Sequence, residues 1–327
     1  MNEPQPTYLG KMAPANESFP AALARSGDPV FKWFTISCAG TMLMLLVGIF
    51  VILVWRSNLS IRKFGFSFLL SQEWNPVIGE FGALSSVYGT VVSTVIAMLL
   101  AVPLSLIIAL FLVELAPQSI SRIIGGAIEL LAAIPSIIYG MWGLFVFAPL
   151  MADHVQPFLG DIAGWLPLFQ GPPMGIGMLT AGLILALMIL PFISAICRDV
   201  FRMVPAVVKE SAYGVGATTW EVTRKVTLRY GARGIIGGAF LGLGRALGET
   251  MAVTFVIGND HTISPSLFAP ANSIASTLAN EFTEAFDPLY LSALIELGLV
   301  LFVLTLIVQL IAQIWLNRMR KAAGGGL

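Results

Sequence analysis

The stretch SVYGTVVSTVIAMLLAVPLSLIIALFLV occupies residues 86–113 and contains no charged residue. An α-helix rises about 1.5 Å per residue, so roughly 20 apolar residues cross a hydrocarbon core about 30 Å thick. Five further stretches meet the same requirement, at about residues 33–55, 123–150, 174–197, 235–257 and 289–316. The sequence therefore predicts an all-α polytopic membrane protein with six transmembrane helices.

The composition of the chain agrees with this fold class and excludes a water-soluble one. Of its 327 residues, 57% are hydrophobic and 11% are charged, and the mean hydropathy is +0.87. Soluble domains are far more polar. The 18 basic and 18 acidic residues balance, so the net charge indicates no nucleic-acid partner. The two cysteines lie in apolar stretches, and we predict neither a disulfide framework nor a metal site.

Composition also divides the chain into four segments. Residues 1–30 are rich in Pro, Ala, Asn and Ser, which predicts a disordered cytoplasmic tail. Residues 31–85 hold the first transmembrane helix and an outer loop. That helix is too long for a cleaved signal peptide and stays as an anchor. Residues 86–316 form the main transmembrane domain, and 317–327 form a flexible cytoplasmic tail.

The orientation of the chain follows from its basic residues, because cytoplasmic loops carry an excess of Lys and Arg. The outer segments hold only three, Arg56, Arg62 and Lys63. With the N-terminus inside, the cytoplasmic segments hold 14 basic residues, namely Lys11, Arg25, Lys32, Arg122, the seven between 198 and 234, Arg318, Arg320 and Lys321. We therefore expect both termini to face the cytoplasm.

The connection at residues 198–234, called the helical loop below, has the signals of two short helices. Pro205 suits the first turn of a helix, and Gly216 suits the left-handed conformation that ends one. Thr218 precedes Glu221 by three residues, which is the capping-box spacing, so a second helix should run from about 219 to 230. An ordinary amphipathic connection on the membrane surface remains an alternative from the pattern alone.

A family resemblance favours a docking role for this loop. The run Glu210-Ser211-Ala212, three residues, Gly216, nine residues, Val226-Thr227-Leu228 resembles the EAA motif of ABC importer permeases, which ends in a proline where this chain has Arg229. The resemblance implies a coupling helix that enters a groove of a partner ATPase. It assigns ATPase coupling to Glu210, Ser211, Ala212, Gly216 and Leu228.

Two other strings resemble the C-type permeases of phosphate-specific ABC importers, within the binding-protein-dependent transport permeases. They are IELLAAIPS at 128–136 and LGRALGETMAV at 243–253. The resemblance implies a type I ABC importer permease fold over residues 86–316 and inorganic phosphate as the substrate. It also implies a heterodimer with a sister A-type permease, two ATPase subunits and an outer phosphate-binding protein.

Four ionisable residues fall inside the predicted spans: Arg245, Glu249, Glu129 and Glu296. A charge at the bilayer centre costs roughly 2.5 to 3.5 kcal/mol or more, so we expect each to face the bundle interior, with the three carboxylates as possible neighbours of Arg245. We predict that they line the substrate pathway and that the Arg245 guanidinium contacts the anion. A structural ion pair between Arg245 and Glu249 is the alternative, and for Glu129 and Glu296 structural pairing is favoured.

Other functions stay open at this stage. A permease for molybdate or sulfate fits the same pattern, and a secondary transporter would also carry intramembrane charges. The chain has no G-x-x-x-x-G-K-[ST] loop, so we expect no enzyme activity of its own and no cofactor, with ATP and magnesium on the partner ATPase. His154 and His261 stand alone in polar connections and are predicted to be solvated. The expected location is the bacterial cytoplasmic (inner) membrane.

Overall fold

The structure, a computed structural model, describes residues 21–324, and the side chains of residues 29–318. Within this range the regular elements are helical, and β-structure is limited to two isolated bridges. The helices are, in chain order, α1 (Ala21–Arg56), α2 (Asn58–Phe64), α3 (Ser67–Leu70), α4 (Leu84–Leu110), α5 (Gln118–Ala132), α6 (Ser136–Trp142), α7 (Ala148–Leu150), α8 (Gln156–Ala163), α9 (Met178–Arg202), α10 (Ala206–Gly214), α11 (Thr219–Val222), α12 (Leu228–Leu247), α13 (Met251–Val256), α14 (Ile274–Glu281) and α15 (Pro288–Gly324).

Short π-helical turns join several of these helices without a break in the helical path. A three-residue 3-10 turn also lies at Pro167–Phe169. The π turns are Phe111–Leu115 after α4, Gly143–Phe147 and Met151–Val155 on either side of α7, and Thr223–Thr227 between α11 and α12.

Five helical segments in the described part are long and apolar enough to cross a membrane. They are Pro29–Arg56, Leu84–Leu115, Ser136–Ala163, Met178–Arg202 and Pro288–Arg318. The predicted spans at 33–55, 86–113, 174–197 and 289–316 are therefore confirmed. The other two predicted spans differ from the structure at identifiable breaks.

The third predicted span, 123–150, is displaced toward the C-terminus. Proline lacks a backbone N–H and disfavours helical geometry in the residue before it. Helix α5 therefore ends at Ala132, and a new helix begins after Pro135. The Tyr139 hydroxyl crosses the break and donates to the carbonyl oxygen of Leu131 at 2.9 Å, which satisfies one group at the end of α5.

The fifth predicted span, 235–257, is interrupted. Helix α12 ends at Leu247 and α13 begins at Met251, so Gly248, Glu249 and Thr250 lie in the break. The Glu249 carboxylate accepts a hydrogen bond from the backbone amide of Ala252 at 3.1 Å and so helps to start the second piece. The two pieces together occupy the predicted crossing.

The helices extend further into both predicted tails than the composition suggested. Residues 21–30 form the first turns of α1, and α15 continues to Gly324. Alanine, leucine and arginine have high helix propensity, and both segments continue a long apolar helix. The rest of the predicted tails, residues 1–20 and 325–327, lies outside the described residues.

Contacts divide the chain into two compact units, Met1–Val51 and Ile52–Leu327. The first unit contributes the apolar N-terminal part of α1. The second unit contains the core, which is built mainly between α4 and α9. Small residues on α4 let the helices approach closely, as in other membrane bundles. Fully buried residues at this contact include Ala97, Ala101 and Ala109 on α4 and Ile184, Ile189 and Ile193 on α9.

Candidate translocation and coupling sites

Arg245 lies near the end of α12, beside the break at Gly248–Thr250. It stands 17 residues after Leu228, which is about 26 Å along the helix axis. Its side chain is exposed, and its Cζ atom lies 5.5 Å from the centre of the Phe192 ring in a cation–π contact. In the described part of the chain no carboxylate oxygen lies within 4.0 Å of its guanidinium nitrogens.

The structure does not form the ion pair between Arg245 and Glu249 that was the alternative to an anion contact. An i, i+4 pair needs a continuous helix, and α12 ends between the two residues. The Glu249 carboxylate instead accepts from the Ala252 amide within its own segment. The structural ion-pair alternative for Arg245 therefore has no support at this position.

Glu129 lies on α5, before the break at Pro135, and forms no ion pair with Arg245 in the described part of the chain. It forms an ion pair and hydrogen bond with Arg198, whose side chain on α9 is only 7% exposed. Gly125 lies one turn earlier on α5, where a Cβ atom would overlap the Arg198 guanidinium. The carboxylate, on a side chain that is 59% exposed, is thus paired with Arg198, and a role of Glu129 in the substrate pathway stays a prediction.

Glu296 lies on α15 and is 6% exposed. One of its carboxylate oxygens, Oε2, is fully buried without a hydrogen-bond partner among the described residues. The Ser60 hydroxyl faces it from α2, but no hydrogen bond of ordinary length joins them. Glu296 also borders an apolar groove of about 410 Å³ between α15 and residues 61–69. The structure therefore does not bring Glu296 to Arg245.

The helical loop has the two helices and the glycine turn that its sequence predicts. Helix α10 starts after Pro205, and Gly216 has a φ of +87°, in the left-handed region that favours glycine. Thr218 and Glu221 form the predicted capping box, with hydrogen bonds of 3.1 and 3.3 Å. The second helix does not end near 230, because Gly231 keeps helical geometry against Val200 and Phe201 of α9, and the helix continues through a π turn into α12.

The loop presents an apolar surface to its surroundings. Glu210, Ser211 and Gly216 are exposed and Ala212 is partly exposed, whereas Leu228 packs against the hydrophobic core. Leu228 is thus part of the base of the loop rather than of its free surface. Large side chains on the free surface include Val207, Tyr213, Val215 and Trp220, with exposures of 71%, 43%, 86% and 68%.

A family model described as the binding-protein-dependent transport system inner membrane component matches residues 76–321. The chain belongs to this family. It is a multi-pass membrane permease of an ABC transporter, and its helical loop lies inside the matched range.

Relatives of this permease include two bacterial proteins and one archaeal protein. The phosphate transport system permease protein PstC of Mesorhizobium japonicum is 56% identical over 301 residues, covering 91% of this chain and 92% of the relative. The protein of the same name from Pasteurella multocida is 54% identical, covering 90% and 93%. A probable PstC of Methanocaldococcus jannaschii is 37% identical, covering 89% and 94%.

Solved structures support the fold of the permease. A chain of a bacterial ABC transporter that imports the acidic polysaccharide alginate has a TM-score of 0.60 at 14% identity, covering 90% of this chain and 99% of that chain. A chain of the MetNI methionine ABC transporter has a TM-score of 0.54 at 17% identity, covering 75% and 99%. The permease therefore has the type I ABC importer fold that the sequence predicted.

Sequence reasoning missed a buried acid at the base of the helical loop of the permease. The Oε1 atom of Glu114 accepts hydrogen bonds from Lys209 Nζ at 2.6 Å and from Thr227 Oγ1 at 2.8 Å. The side chain of Glu114 is 7% exposed and that of Lys209 is 17% exposed. We call these three residues the Glu114 clamp. The signal that could have found it is a lone acid directly after the apolar stretch 86–113.

A second polar cluster lies at the other end of α4, near its first residues. Glu281 accepts from Trp74 Nε1 at 2.6 Å and from the Tyr290 hydroxyl at 2.7 Å, and it lies 3.1 Å from His261 Nε2. The prediction that His261 is solvated is wrong, because its ring stacks on Trp74 at 5.4 Å and is 22% exposed. We call these four residues the Glu281 network.

Burial raises the pKa of Glu281, but hydrogen bonds from His261, Tyr290 and Trp74 outweigh burial and hold that pKa below its usual range. The network ties the loop that contains Trp74 to α14 and α15. It involves residues that are far apart in the sequence, so no local pattern pointed to it.

Proposed function

We propose that this chain is the membrane-spanning permease subunit of an ATP-driven importer that carries inorganic phosphate into the cytoplasm by alternating access. The observation that carries the proposal is the identity of 52 to 56% with bacterial phosphate permeases over nine-tenths of the chain. The match extends over nearly the whole chain and so goes beyond a shared fold, which by itself would allow other substrates.

The proposed partners follow from the same family. A sister A-type permease would form a heterodimer with this chain, two ATPase subunits would dock on the helical loops, and a phosphate-binding protein would deliver the substrate from outside. The exposed apolar side chains of α10 and of the glycine turn support ATPase docking, because such a patch rimmed by polar residues is typical of a protein interface. ATP and magnesium would bind to the partner, and this chain would not be an enzyme by itself.

The proposed location is the bacterial cytoplasmic membrane, with both termini and the helical loop in the cytoplasm. The 14 to 3 distribution of basic residues supports this orientation. Residues 258–288 contain four acidic and no basic side chains, which fits an outer loop. Docking of a cytoplasmic ATPase needs the same orientation.

We propose further that Arg245 contacts the anion during passage. An anion that leaves water for the membrane interior needs compensation, and a guanidinium offers a planar donor fork that matches phosphate oxygens. Arg245 supports this role because it is exposed in the chain, stands beside a helix break and has no carboxylate partner among the described residues. Glu129 pairs with Arg198, and Glu296 is buried on α15. Of the three carboxylates, we therefore propose only Glu249 as a residue near the anion path.

The test is phosphate uptake by the reconstituted complex with its sister permease, ATPase and binding protein. Arg245→Lys keeps the charge but loses the fork, so uptake should fall roughly 10- to 150-fold, the effect of about 1.5 to 3 kcal/mol of lost charged hydrogen bonding. Arg245→Ala should abolish uptake while the assembled complex remains detectable. Arg233→Lys, at an exposed position on the same helix, is the matched control and should transport normally.

Three outcomes would contradict these proposals. Normal uptake by Arg245→Ala, or by the double variant Arg245→Met with Glu249→Leu, would remove Arg245 from the pathway. Uptake of molybdate or sulfate in preference to phosphate would replace the substrate assignment by another oxyanion. Uptake that persists without ATP would favour a secondary transporter instead.

A further inference from the structure

The Glu114 clamp joins three parts of the membrane domain at one buried atom. Glu114 lies in the π turn that ends the span beginning at Leu84, Lys209 lies on α10, and Thr227 lies in the π turn that leads into α12. Both hydrogen bonds end on the same oxygen, Oε1 of Glu114. A single carboxylate thus holds the first helix of the loop against two membrane helices.

The two faces of α10 have different surroundings. Lys209 is 17% exposed and turns toward Glu114, whereas its neighbour Glu210 is exposed on the free surface. Adjacent helical residues differ in direction by about 100°, so one face is held by the membrane domain and another is open to a partner. The loop is therefore placed between the docking surface and the spans.

The clamp is also joined to Arg245 by a continuous helical segment. Thr227 immediately precedes α12, and Arg245 follows 18 residues later on the same helix, about 27 Å away. On the other side, Glu114 ends a helical segment that runs from Leu84 to Leu115 without a break. A displacement of α10 that keeps the clamp intact must move the ends of both segments.

We propose that the Glu114 clamp is the joint through which movement of the helical loop is passed to the membrane helices. Glu114, Lys209 and Thr227 are positioning residues, since they act through α4 and α12 and do not contact substrate. The proposal rests on the assignment of the loop as the ATPase-docking element. The proposal identifies the contacts that transmit movement from the loop to the membrane helices. Docking residues such as Glu210 lie on the free surface and do not make these contacts.

The buried charge of Glu114 fixes the position of α10, because the carboxylate requires the Lys209 cation beside it. A carboxylate that is 7% exposed is strongly disfavoured without a compensating cation or donor, so the ion pair holds α10 at this place and no other. A broken clamp would leave the free surface of the loop unchanged. The ATPase should then still bind to the loop, but movement of the loop should no longer displace the membrane helices α4 and α12.

The experiment measures phosphate uptake and ATP hydrolysis by the same reconstituted complex and reports their ratio. Lys209→Met should keep the ATPase subunits bound and hydrolysis active but lower the ratio roughly 5- to 100-fold, in the range typical of coupling between sites. Lys209→Arg keeps the cation and should preserve the ratio. Thr227→Val removes one donor, leaves the ion pair and should give a smaller decrease.

A matched control is available in the same loop. Lys225 pairs with Glu221 at 3.2 Å across an exposed surface. Exposed pairs contribute little, so Lys225→Met should leave the ratio of uptake to hydrolysis unchanged. Equal decreases in the Lys209→Met and Lys225→Met variants would overturn the clamp proposal, because any loss of loop charge would then suffice.

The remaining outcomes separate this inference from the proposed function. A wild-type ratio in both Lys209→Met and Thr227→Val would overturn the clamp while the importer assignment stands. Loss of ATPase binding in Lys209→Met would also overturn it, since the clamp would then serve only to fold the docking surface. Failure of the unmodified complex to take up phosphate would contradict the proposed function itself.

Discussion

Gly89 is the clearest case of a single residue that the packing requires. It lies on α4 where the helix passes the backbone of residue 272, and a Cβ atom there would overlap the carbonyl oxygen of Asn272. Glycine costs about 1 kcal/mol relative to alanine in a helix. The close approach therefore outweighs helix propensity at this position.

We predict that Gly89→Ala destabilises the permease, because overpacking against backbone typically costs roughly 1 to 3 kcal/mol. The measurement is the thermal unfolding midpoint of the purified protein in detergent. Gly237→Ala, on α12, is the control, since a Cβ atom there meets nothing within 4 Å. Equal or higher stability of the Gly89→Ala variant would contradict the close approach of Gly89 to the backbone of Asn272.

Arg198 and Arg245 differ in burial and in ion pairing, and the sequence alone did not predict this difference. Arg198 is 95% buried, paired with Glu129 and next to Asp199, with one nitrogen 3.9 Å from the Asp199 carboxylate. Arg245 is exposed, and its Cζ atom lies over the Phe192 ring. Sequence alone placed Arg198 among the loop charges and Glu129 near Arg245. The break at Pro135 reverses that expectation, since it puts Glu129 on a separate helix against α9.

At the scale of elements, the glycine turn of the helical loop separates folding from docking. A Cβ atom at Gly216 meets nothing within 4 Å, so a side chain there is obstructed only by the backbone conformation and by a docked partner. We predict that Gly216→Trp leaves the membrane domain inserted but abolishes ATPase association and uptake. Copurification of the ATPase and phosphate uptake are the measurements.

The control for this prediction is Gly216→Asn, because asparagine tolerates the left-handed conformation and adds little bulk. It should retain most ATPase association. Normal assembly and transport by Gly216→Trp would show that this turn does not face the ATPase, and the coupling role of the loop would have to be given up.

The Glu281 network should make the stability of its end of the bundle sensitive to acid. Because the pKa of Glu281 lies below its ordinary value, the ionised carboxylate stabilises the folded state at pH values above about 4.5, the usual pKa of a Glu. That contribution is lost as the pH falls through the lowered value.

We therefore predict that Glu281→Gln lowers the unfolding midpoint at pH 7 by an amount corresponding to roughly 1 to 3 kcal/mol. The difference from the unmodified protein should persist down to about pH 5 and shrink as the pH falls toward 3. Thermal unfolding of both proteins across this range is the measurement. A difference that grows on acidification would contradict the lowered pKa.

At the scale of the whole molecule, the proposed topology gives a labelling pattern. In a variant without Cys38 and Cys197, a cysteine at the exposed position 215 should react with an impermeant thiol reagent only from the cytoplasm. A cysteine at the exposed position 262 should react only from outside. Reaction of both from the same side would rule out the six-span arrangement with cytoplasmic termini.

The sequence by itself determined the class of the molecule and the local signals along it. Long uncharged stretches require helices in lipid, since backbone groups must be satisfied internally. Four of six spans, the capping box of Thr218 and Glu221, and the turn at Gly216 could therefore be predicted. These features depend on neighbouring residues only. The docking role of the loop and the anion role of Arg245 remain predictions.

The tertiary structure alone decided where two of the spans break and which charged groups meet. The apolar pattern of the sequence cannot say whether a proline lies within a continuous helix, as Pro103 and Pro191 do in α4 and α9, or separates two helices, as Pro135 does. The outcome depends on which partners receive the freed backbone groups, such as the Tyr139 hydroxyl. Contacts like the Glu114 clamp join residues more than 90 positions apart, and only packing of the helices brings them to one oxygen.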